Sequence, residues 1–260
     1  MSAAQYEVYA IKYAHHARRA AENFIGGDPH DGPMPLDYFV WLVRGEGGEI
    51  VVDTGFSRAV ALRRQREHIR CPSEGLRLLG VESGTVKDVV ITHLHYDHVG
   101  NFDLFPAATF HLQDREMQYA TGRHMGKPVF SGAFDVEDVV GMVRNAYAGR
   151  VRFHDGDAEI APGVSLHFIG GHTMGLQVVR VATRRGNVVL ASDASHFYAN
   201  MEQTRPFPIV FNVADMVEGY ARLRALADSP AHVIPGHDPL VLERYPAPGA
   251  ALRGVVARLD

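Results

Sequence analysis

The sequence predicts a single α/β domain, and three observations predict it. Strand-like and helix-like patterns mix through both halves of the chain, as in one α/β core rather than separate all-α and all-β parts. No repeat, low-complexity tract or linker divides the 260 residues, a length that one large domain fills. Histidines and aspartates collect at the ends of several apolar runs, so a sheet-based core presents them along one edge. One domain over residues 1–260 is therefore expected.

The elements follow in order. Residues 6–13 alternate and read as a strand, and an irregular polar loop runs from His15 to Asn23. Residues 26–35 carry so many Gly and Pro that regular structure is forbidden, and a long ordered loop of this kind is usually functional. Residues 37–43 and 49–52 are two strands joined by Arg44-Gly-Glu-Gly-Gly48, a hairpin signal. Asp53-Thr-Gly55 follows the second of them directly. Residues 59–70 read as a helix and 73–79 as a shorter one. Residues 86–92 and 109–112 are strands, and Asp114 is expected to cap a helix through Ala120. Residues 124–134 form a second irregular loop before a helix over 136–145. Strands are expected at 151–154, 164–169, 177–182 and 187–191, a helix at 213–227, and a last strand at 232–235.

The composition excludes several classes. With 46% hydrophobic and 22% charged residues the chain is an ordinary globular protein. A formal net charge of −4 without a basic block argues against nucleic acid as a partner. Arg63, Arg64, Arg66 and Arg70 cluster, but Glu67 interrupts them, so they read as a solvated helix face. The single cysteine, Cys71, allows no internal disulfide. No apolar run is long enough to span a membrane, and the first residues lack the pattern of a secretory leader. The expected setting is cytoplasmic, without membrane partners, as a monomer or homodimer.

The chemistry concentrates in Ile91-Thr-His-Leu-His-Tyr-Asp-His-Val-Gly100. An apolar strand runs into His93, His95, Asp97 and His98. A His-rich tract alone can be a weak, adventitious metal binder. Ligand types at this spacing, after a strand and before a glycine turn, are hard to explain by packing. In extended chain, residues two apart point the same way, so His93 and His95 can hold one cation. Asp97 and His98 come as the chain turns and can reach a second. His172, Asp193 and His237 occupy the same context, each at or just past the end of an apolar strand. Five His and two Asp are too many for one zinc ion, which takes three or four protein groups. They fit two ions sharing a carboxylate.

The motif His93-Leu-His95-Tyr-Asp97-His98, followed by single His, Asp and His residues, resembles the metallo-β-lactamase superfamily. Asp53-Thr-Gly55 matches the family's early Asp-containing turn, and the resemblance runs from Tyr6 to about Pro239. It implies a four-layer αβ/βα sandwich with two mixed β-sheets and a metal site at the edge between them. It assigns His93, His95 and His172 to one ion and Asp97, His98 and His237 to the other, with Asp193 bridging. Asp53 then orients His ligands by accepting their other N–H. The implied cofactors are two Zn2+ per chain, with iron, manganese or cobalt as alternatives. The implied reaction is hydrolysis of an ester-like bond by a metal-bridging hydroxide, with Asp97 carrying a proton to the leaving group.

Within the superfamily the fold does not choose the substrate. Asp193 stands where zinc β-lactamases with a cysteine ligand carry that cysteine, and His95 where flavo-diiron proteins carry a glutamate. The segment after His237 is too short for the helical domain of glyoxalase II-type thioesterases. Nucleic-acid-processing members need further domains or arms. The remaining fit is to the N-acyl-homoserine lactonase-like group, associated with quorum quenching. The expected substrate is a small-molecule lactone, an N-acyl-homoserine lactone or a relative such as pyridoxolactone. The alternative is a broader esterase, thioesterase or cyclic-amide hydrolase. That group carries a Tyr three residues after the bridging Asp, where this chain has His196, with Tyr198 two further on. His196 and Tyr198 are therefore the candidates for contact with the substrate carbonyl. The expected pocket walls are the loops 26–35 and 124–134, with Phe24, Met34, Met125, Phe130 and Phe134 supplying an apolar site. His15 and His16 are expected in a loop near the site.

Overall fold

Two mixed sheets carry the site in the computed structural model, which describes residues 5–260. Residues 1–4, on which part of the expectation about a leader falls, lie outside the described residues. The strands are β1 (Glu7–His16), β2 (Leu36–Gly45), β3 (Gly48–Val52), β4 (Glu67–His68), β5 (Asp88–Val90), β6 (Thr109–Gln113), β7 (Val151–His154), β8 (Ala158–Ala161), β9 (Val164–Phe168), β10 (Gln177–Thr183), β11 (Gly186–Ser192), β12 (Val233–Pro235) and β13 (Val256–Arg258). The larger sheet has the order β13-β1-β2-β3-β5-β6-β7, with β4 also paired to β1. Its β3, β5, β6 and β7 pair in parallel, and the rest are antiparallel. The smaller sheet has the order β12-β11-β10-β9-β8, with only β11 and β12 parallel.

β2 shows why the layers stack as they do. Its residues 36–43 are all buried, and alternate side chains serve two different cores. Phe39, Trp41 and Val43 face the second sheet and pack with Val164, Leu166, Val178 and Leu190. Tyr38, Val40 and Leu42 face the helical side with Phe56, Val60, Leu76 and Met142. The second sheet is covered in turn by helix Val213–Leu226 through Met216, Tyr220 and Leu223. The result is the expected four-layer αβ/βα sandwich.

Several expected boundaries move. β1 continues to His16 by a register shift between Lys12 and Ala14, so His15 and His16 sit on a strand. His15 there meets Asp37 at 2.7 Å. The helix expected over 59–70 stops at Arg64 because Gln65 is left-handed, with φ 56° and ψ 48°. The chain then reverses into β4. Asp114 opens its helix as the first helical residue; Gln113 is the cap position and makes no side-chain cap bond. The loop 124–134 contains a short helix, Pro128–Ser131. β8, β13 and helices Tyr198–Glu202 and Leu240–Arg244 are additional to the sequence reading. Among the described residues no helix is long and apolar enough to cross a membrane.

Candidate metal centre

Four strand ends deliver the seven expected residues to one place. Past β5, His93 and His95 lie in extended chain, and helix Tyr96–Val99 then turns Asp97 and His98 inward. His172 follows β9 on a Gly170-Gly171 turn; a Cβ at Gly171, where φ is +81°, would lie 2.6 Å from the backbone of Met216. Asp193 leaves β11 just after Ser192, whose φ is 45°. His237 leaves β12 after Gly236, where a Cβ would stand 2.7 Å from Asp193 Oδ1. The parallel pairing of β11 with β12 sets these last two residues on one edge.

The ring nitrogens converge in two groups. His93 Nε2, His95 Nδ1 and His172 Nε2 lie 3.0, 2.9 and 3.2 Å apart. Their outer partners set the tautomers. His172 Nδ1 donates to the Ile209 carbonyl at 2.6 Å, which leaves Nε2 as a bare lone pair. The Thr92 hydroxyl donates to Asp53 Oδ2 at 2.9 Å and therefore accepts from His93 Nδ1 at 3.1 Å, which bares His93 Nε2 as well. Lone pairs this close repel unless a cation lies between them. Donors around tetrahedral zinc, at bonds of ~2.05 Å, stand ~3.3 Å apart, so the triad fits such an ion closely.

The second group is built in the same way. His98 Nδ1 donates to Asp53 Oδ2 at 2.7 Å and His237 Nδ1 to the Asp37 carbonyl at 3.0 Å. Their Nε2 atoms face Asp97 Oδ2 at 3.6 and 3.7 Å. Asp193 lies between the groups. Its Oδ1 is 3.3 Å from His98 Nε2 and 3.0 Å from His237 Nε2, and its Oδ2 is 3.3 Å from His172 Nε2. His98 Nε2 and Asp193 Oδ1 are buried yet make no hydrogen bond of good geometry. Donor atoms lie close enough to share an ion in His93–His95–His172 and Asp97–His98–His237, and also in His93–His98–Asp193 and His172–Asp193–His196, the two sets that place Asp193 between the poles. The donor set, neutral imidazoles and carboxylates, suits zinc and its neighbours.

The electrostatics divide along the same line. Burial, then the adjoining imidazoles, hold His93 and His95 well below the usual histidine range. Burial opposes charge on His98 too, but Asp193, Asp97 and Asp53 pull it well above that range. Burial would raise Asp193, yet His237, His98 and His196 hold it well below the usual carboxylate range. One pole thus offers bare nitrogens, and the other is a carboxylate-rich pole that calls for positive charge.

Asp53 is fully buried and accepts from Thr92 N, Thr92 Oγ1 and His98 Nδ1. It touches one ligand-type imidazole directly and reaches His93 through Thr92. Glu116 escaped the sequence reading. Its buried carboxylate accepts from Leu94 N at 2.9 Å, Thr173 Oγ1 at 2.6 Å and Gly175 N at 3.0 Å. It ties the hexad loop to the His172 loop. A glutamate inside a helix carries no sequence mark of such a role.

A cleft of about 240 Å³ opens over the poles, lined at its floor by His95, Asp97, His172, Asp193, His196 and His237. A roomier groove of about 400 Å³ beside Arg115 and Arg222 has no imidazole in its lining. The cleft walls differ in part from expectation. The loop 124–134 walls it as expected, through Val129, Phe130, Gly132 and Ala133, but Phe24, Met34, Met125, Phe134 and the loop 26–35 do not line it. β1, β2 and the Pro208-Ile209 segment close it where the loop 26–35 was expected. Phe134 packs edge-on against His95 from behind. Arg64 and Arg66 are also corrected: the turn at Gln65 brings both into the cleft wall, while Arg63 pairs outward with Asp135.

His196 reaches the floor, but its Nε2 lies 2.9 Å from Asp193 Oδ2 and its ring stacks on Phe207 at 3.5 Å. Donation from that nitrogen is committed to the carboxylate, not aimed at a substrate carbonyl. Tyr198 is placed away from the cleft. It opens a helix, is buried in the apolar cluster around the second sheet, and lies beneath the Arg244 guanidinium at 3.7 Å. Contact between Tyr198 and a bound substrate does not fit this position.

A two-sheet sandwich with a two-pole His/Asp cluster at its edge defines the class, a metallohydrolase. The chain belongs to the metallo-β-lactamase superfamily, whose family description matches residues 34–237. Its relatives include the N-acyl homoserine lactonase AttM of Azorhizobium caulinodans, 28% identical over 82% of this chain and 85% of that protein. The N-acyl homoserine lactonase AiiA of Bacillus thuringiensis subsp. kurstaki is 27% identical over 67% of this chain and 70% of that protein. A solved quorum-quenching N-acyl homoserine lactone lactonase shares the fold with a TM-score of 0.75 and 23% identity, covering 91% and 93% of the two chains. AidC, a dizinc quorum-quenching lactonase, shares it with a TM-score of 0.71 and 16% identity, over 91% and 89%.

Proposed function

We propose that this chain acts as one domain that opens a lactone ring at a dinuclear centre. His93, His95 and His172 hold one ion, Asp97, His98 and His237 the other, and Asp193 bridges them. The observation that carries this reading is Asp193: its two oxygens face two separate sets of ring nitrogens. The names of the relatives, N-acyl homoserine lactonases, support the lactone as substrate class. Two zinc ions, when bound, supply Lewis acidity and lower the pKa of a coordinated water towards ~7.

The chain's own residues do the rest. His172 and His237 are held by backbone carbonyls, so their Nε2 lone pairs stay fixed on the cleft, and His98 is held by Asp53 with its Nε2 turned towards Asp97 and Asp193. Asp97 lines the floor and carries a proton to the departing ring oxygen. His196 donates to Asp193 Oδ2 and fixes the tilt of the bridging carboxylate. Phe130, Pro208 and Ile209 shield the ring from bulk water.

The test is turnover by the zinc-loaded protein of acyl-homoserine lactones, simple γ- and δ-lactones, aryl esters and S-lactoylglutathione. Lactone opening is expected. Hydrolysis of the thioester with no lactone turned over refutes the reading.

A further inference from the structure

The cleft above the two poles is ringed by positive charge that the hydrolytic reading leaves unused. Arg18, Arg64 and Arg66 all line it, while burial and then Arg66 hold the adjoining His16 imidazole down at about 4, so it adds no charge. Arg64 and Arg66 have no carboxylate within 4.0 Å among the described residues, and Arg18 has only Glu22, at 3.8 Å. Asp97 and Asp193, the carboxylates on the floor, are taken up by His98 and His237. The guanidiniums are held in place rather than trailing in solvent. Arg64 lies over the Tyr96 ring at 3.9 Å and donates to the carbonyls of Gly132 and Phe134. Arg66 donates from Nε to Tyr96 Oη at 3.2 Å and from Nη1 to the Arg64 carbonyl at 2.7 Å, with the Tyr38 hydroxyl also close to the guanidinium, and its Nη2 makes no further hydrogen bond of good geometry. Arg18 donates from Nη2 to the Glu22 carbonyl at 2.7 Å, which leaves Nη1 without one. Two fixed guanidinium edges with a spare N–H apiece, backed by a third positive charge, match a planar carboxylate. The volume points the same way. About 240 Å³ is smaller than the ~300–1,000 Å³ of sites for drug-sized ligands. A short polar molecule fits better than a long acyl chain.

We propose that Arg18 and Arg66, with Arg64 behind them, form a carboxylate-recognition subsite, so that the preferred substrate is a small lactone bearing a free carboxylate. This rests on the lactonase reading above. Ring opening adds one water and gives a hydroxy dicarboxylate, one carboxylate at the poles and one at the arginines.

The experiment compares γ-butyrolactone 5-carboxylate with its primary amide on the zinc-loaded protein and on the R18M/R66M variant. Methionine keeps the apolar stem and removes the charge. The wild-type ratio of kcat/KM, acid over amide, is expected to exceed one by about 10- to 100-fold. In the variant it falls towards one, and because it is a ratio, general damage to the fold cancels. A wild-type ratio of one or below overturns the proposal, as does an unchanged ratio in the variant. If neither lactone is turned over, the lactonase reading has failed, and the subsite is then read by calorimetry of succinate on the wild type and on the R18M/R66M variant. Succinate binding that the double substitution weakens by about 10-fold or more upholds the subsite; equal binding by the two proteins overturns it.

Discussion

Replacing Asp53 by Asn separates the outer support of the centre from the centre itself. The side chain keeps its shape, so no cavity opens at this fully buried position. An amide presents one acceptor oxygen and one NH2 where the carboxylate presented two acceptors. Asp53 now accepts three bonds, from Thr92 N, Thr92 Oγ1 and His98 Nδ1. With the amide oxygen on Thr92 N, the NH2 faces both the Thr92 hydroxyl and His98 Nδ1. The hydroxyl can rotate and accept instead. His98 can escape the clash of two donors only by moving its proton to Nε2, the atom turned towards Asp97 and Asp193. That blocks one ligand of the carboxylate-rich pole and leaves His93, His95 and His172 with their partners. Loss of an outer partner of this kind costs about 10- to 100-fold in metal affinity. One poorly paired buried polar group costs about 1–3 kcal/mol, or roughly 2–12 °C in thermal midpoint for a chain of this size. The assay is zinc content after dialysis against a graded chelator series, with thermal unfolding alongside. The expected result is one ion lost at chelator strengths where the wild type keeps two. Two ions retained along the whole series, with an unchanged midpoint, refutes the reasoning.

Further predictions bear on other parts of the molecule. Asp193→Ala removes the group that faces both poles and is expected to abolish lactone turnover and retention of a second ion; full activity in that variant rules out bridging. Glu116→Ala orphans three donors that join two site loops, at about 3–5 kcal/mol, read from the urea midpoint at constant m. Asp138 is raised to about 7, first by burial and then by Asp135. Its folded value lies above the unfolded one, so stability is lost as pH rises from about 4 to about 7. Asp138→Asn is therefore expected to gain about 1–3 kcal/mol over wild type at pH 8 and nothing at pH 4, compared by urea unfolding. Chelation of the wild type is expected to lower its thermal midpoint, and zinc to restore it, because ions that bind only the folded chain stabilise it by mass action. A midpoint indifferent to chelator and zinc contradicts the convergence of lone pairs.

The sequence carried much of this protein where information is local. Alternation and apolar runs located most strands, and the buried part of β2 was visible as the apolar stretch from Tyr38 to Val43. Ligand-type residues at strand ends marked the metal centre, because extended chain forces residues two apart onto one side. Boundaries were lost where one residue's backbone decides them. The left-handed Gln65 that ends the first α-helix has no Gly or Asn to announce it. β13 and β4 are short edge strands whose partner is β1, far away in sequence or reached by that turn, so their own residues do not specify them.

By itself, then, the sequence determined the α/β class and the seven ligand-type residues that converge in the fold. Only the tertiary structure decided what those residues face. Pairing of β11 with β12 set Asp193 between the imidazole groups, and close packing at Gly236 let it approach. The same packing gave the His196 nitrogen to Asp193, put Tyr198 in the core, and turned Arg64 and Arg66 from an expected solvent face into the cleft wall. The physical reason is that periodicity reports which side of its own element a residue lies on. Which neighbour stands on that side depends on sheet register and chain reversals, set by contacts between segments far apart in the chain.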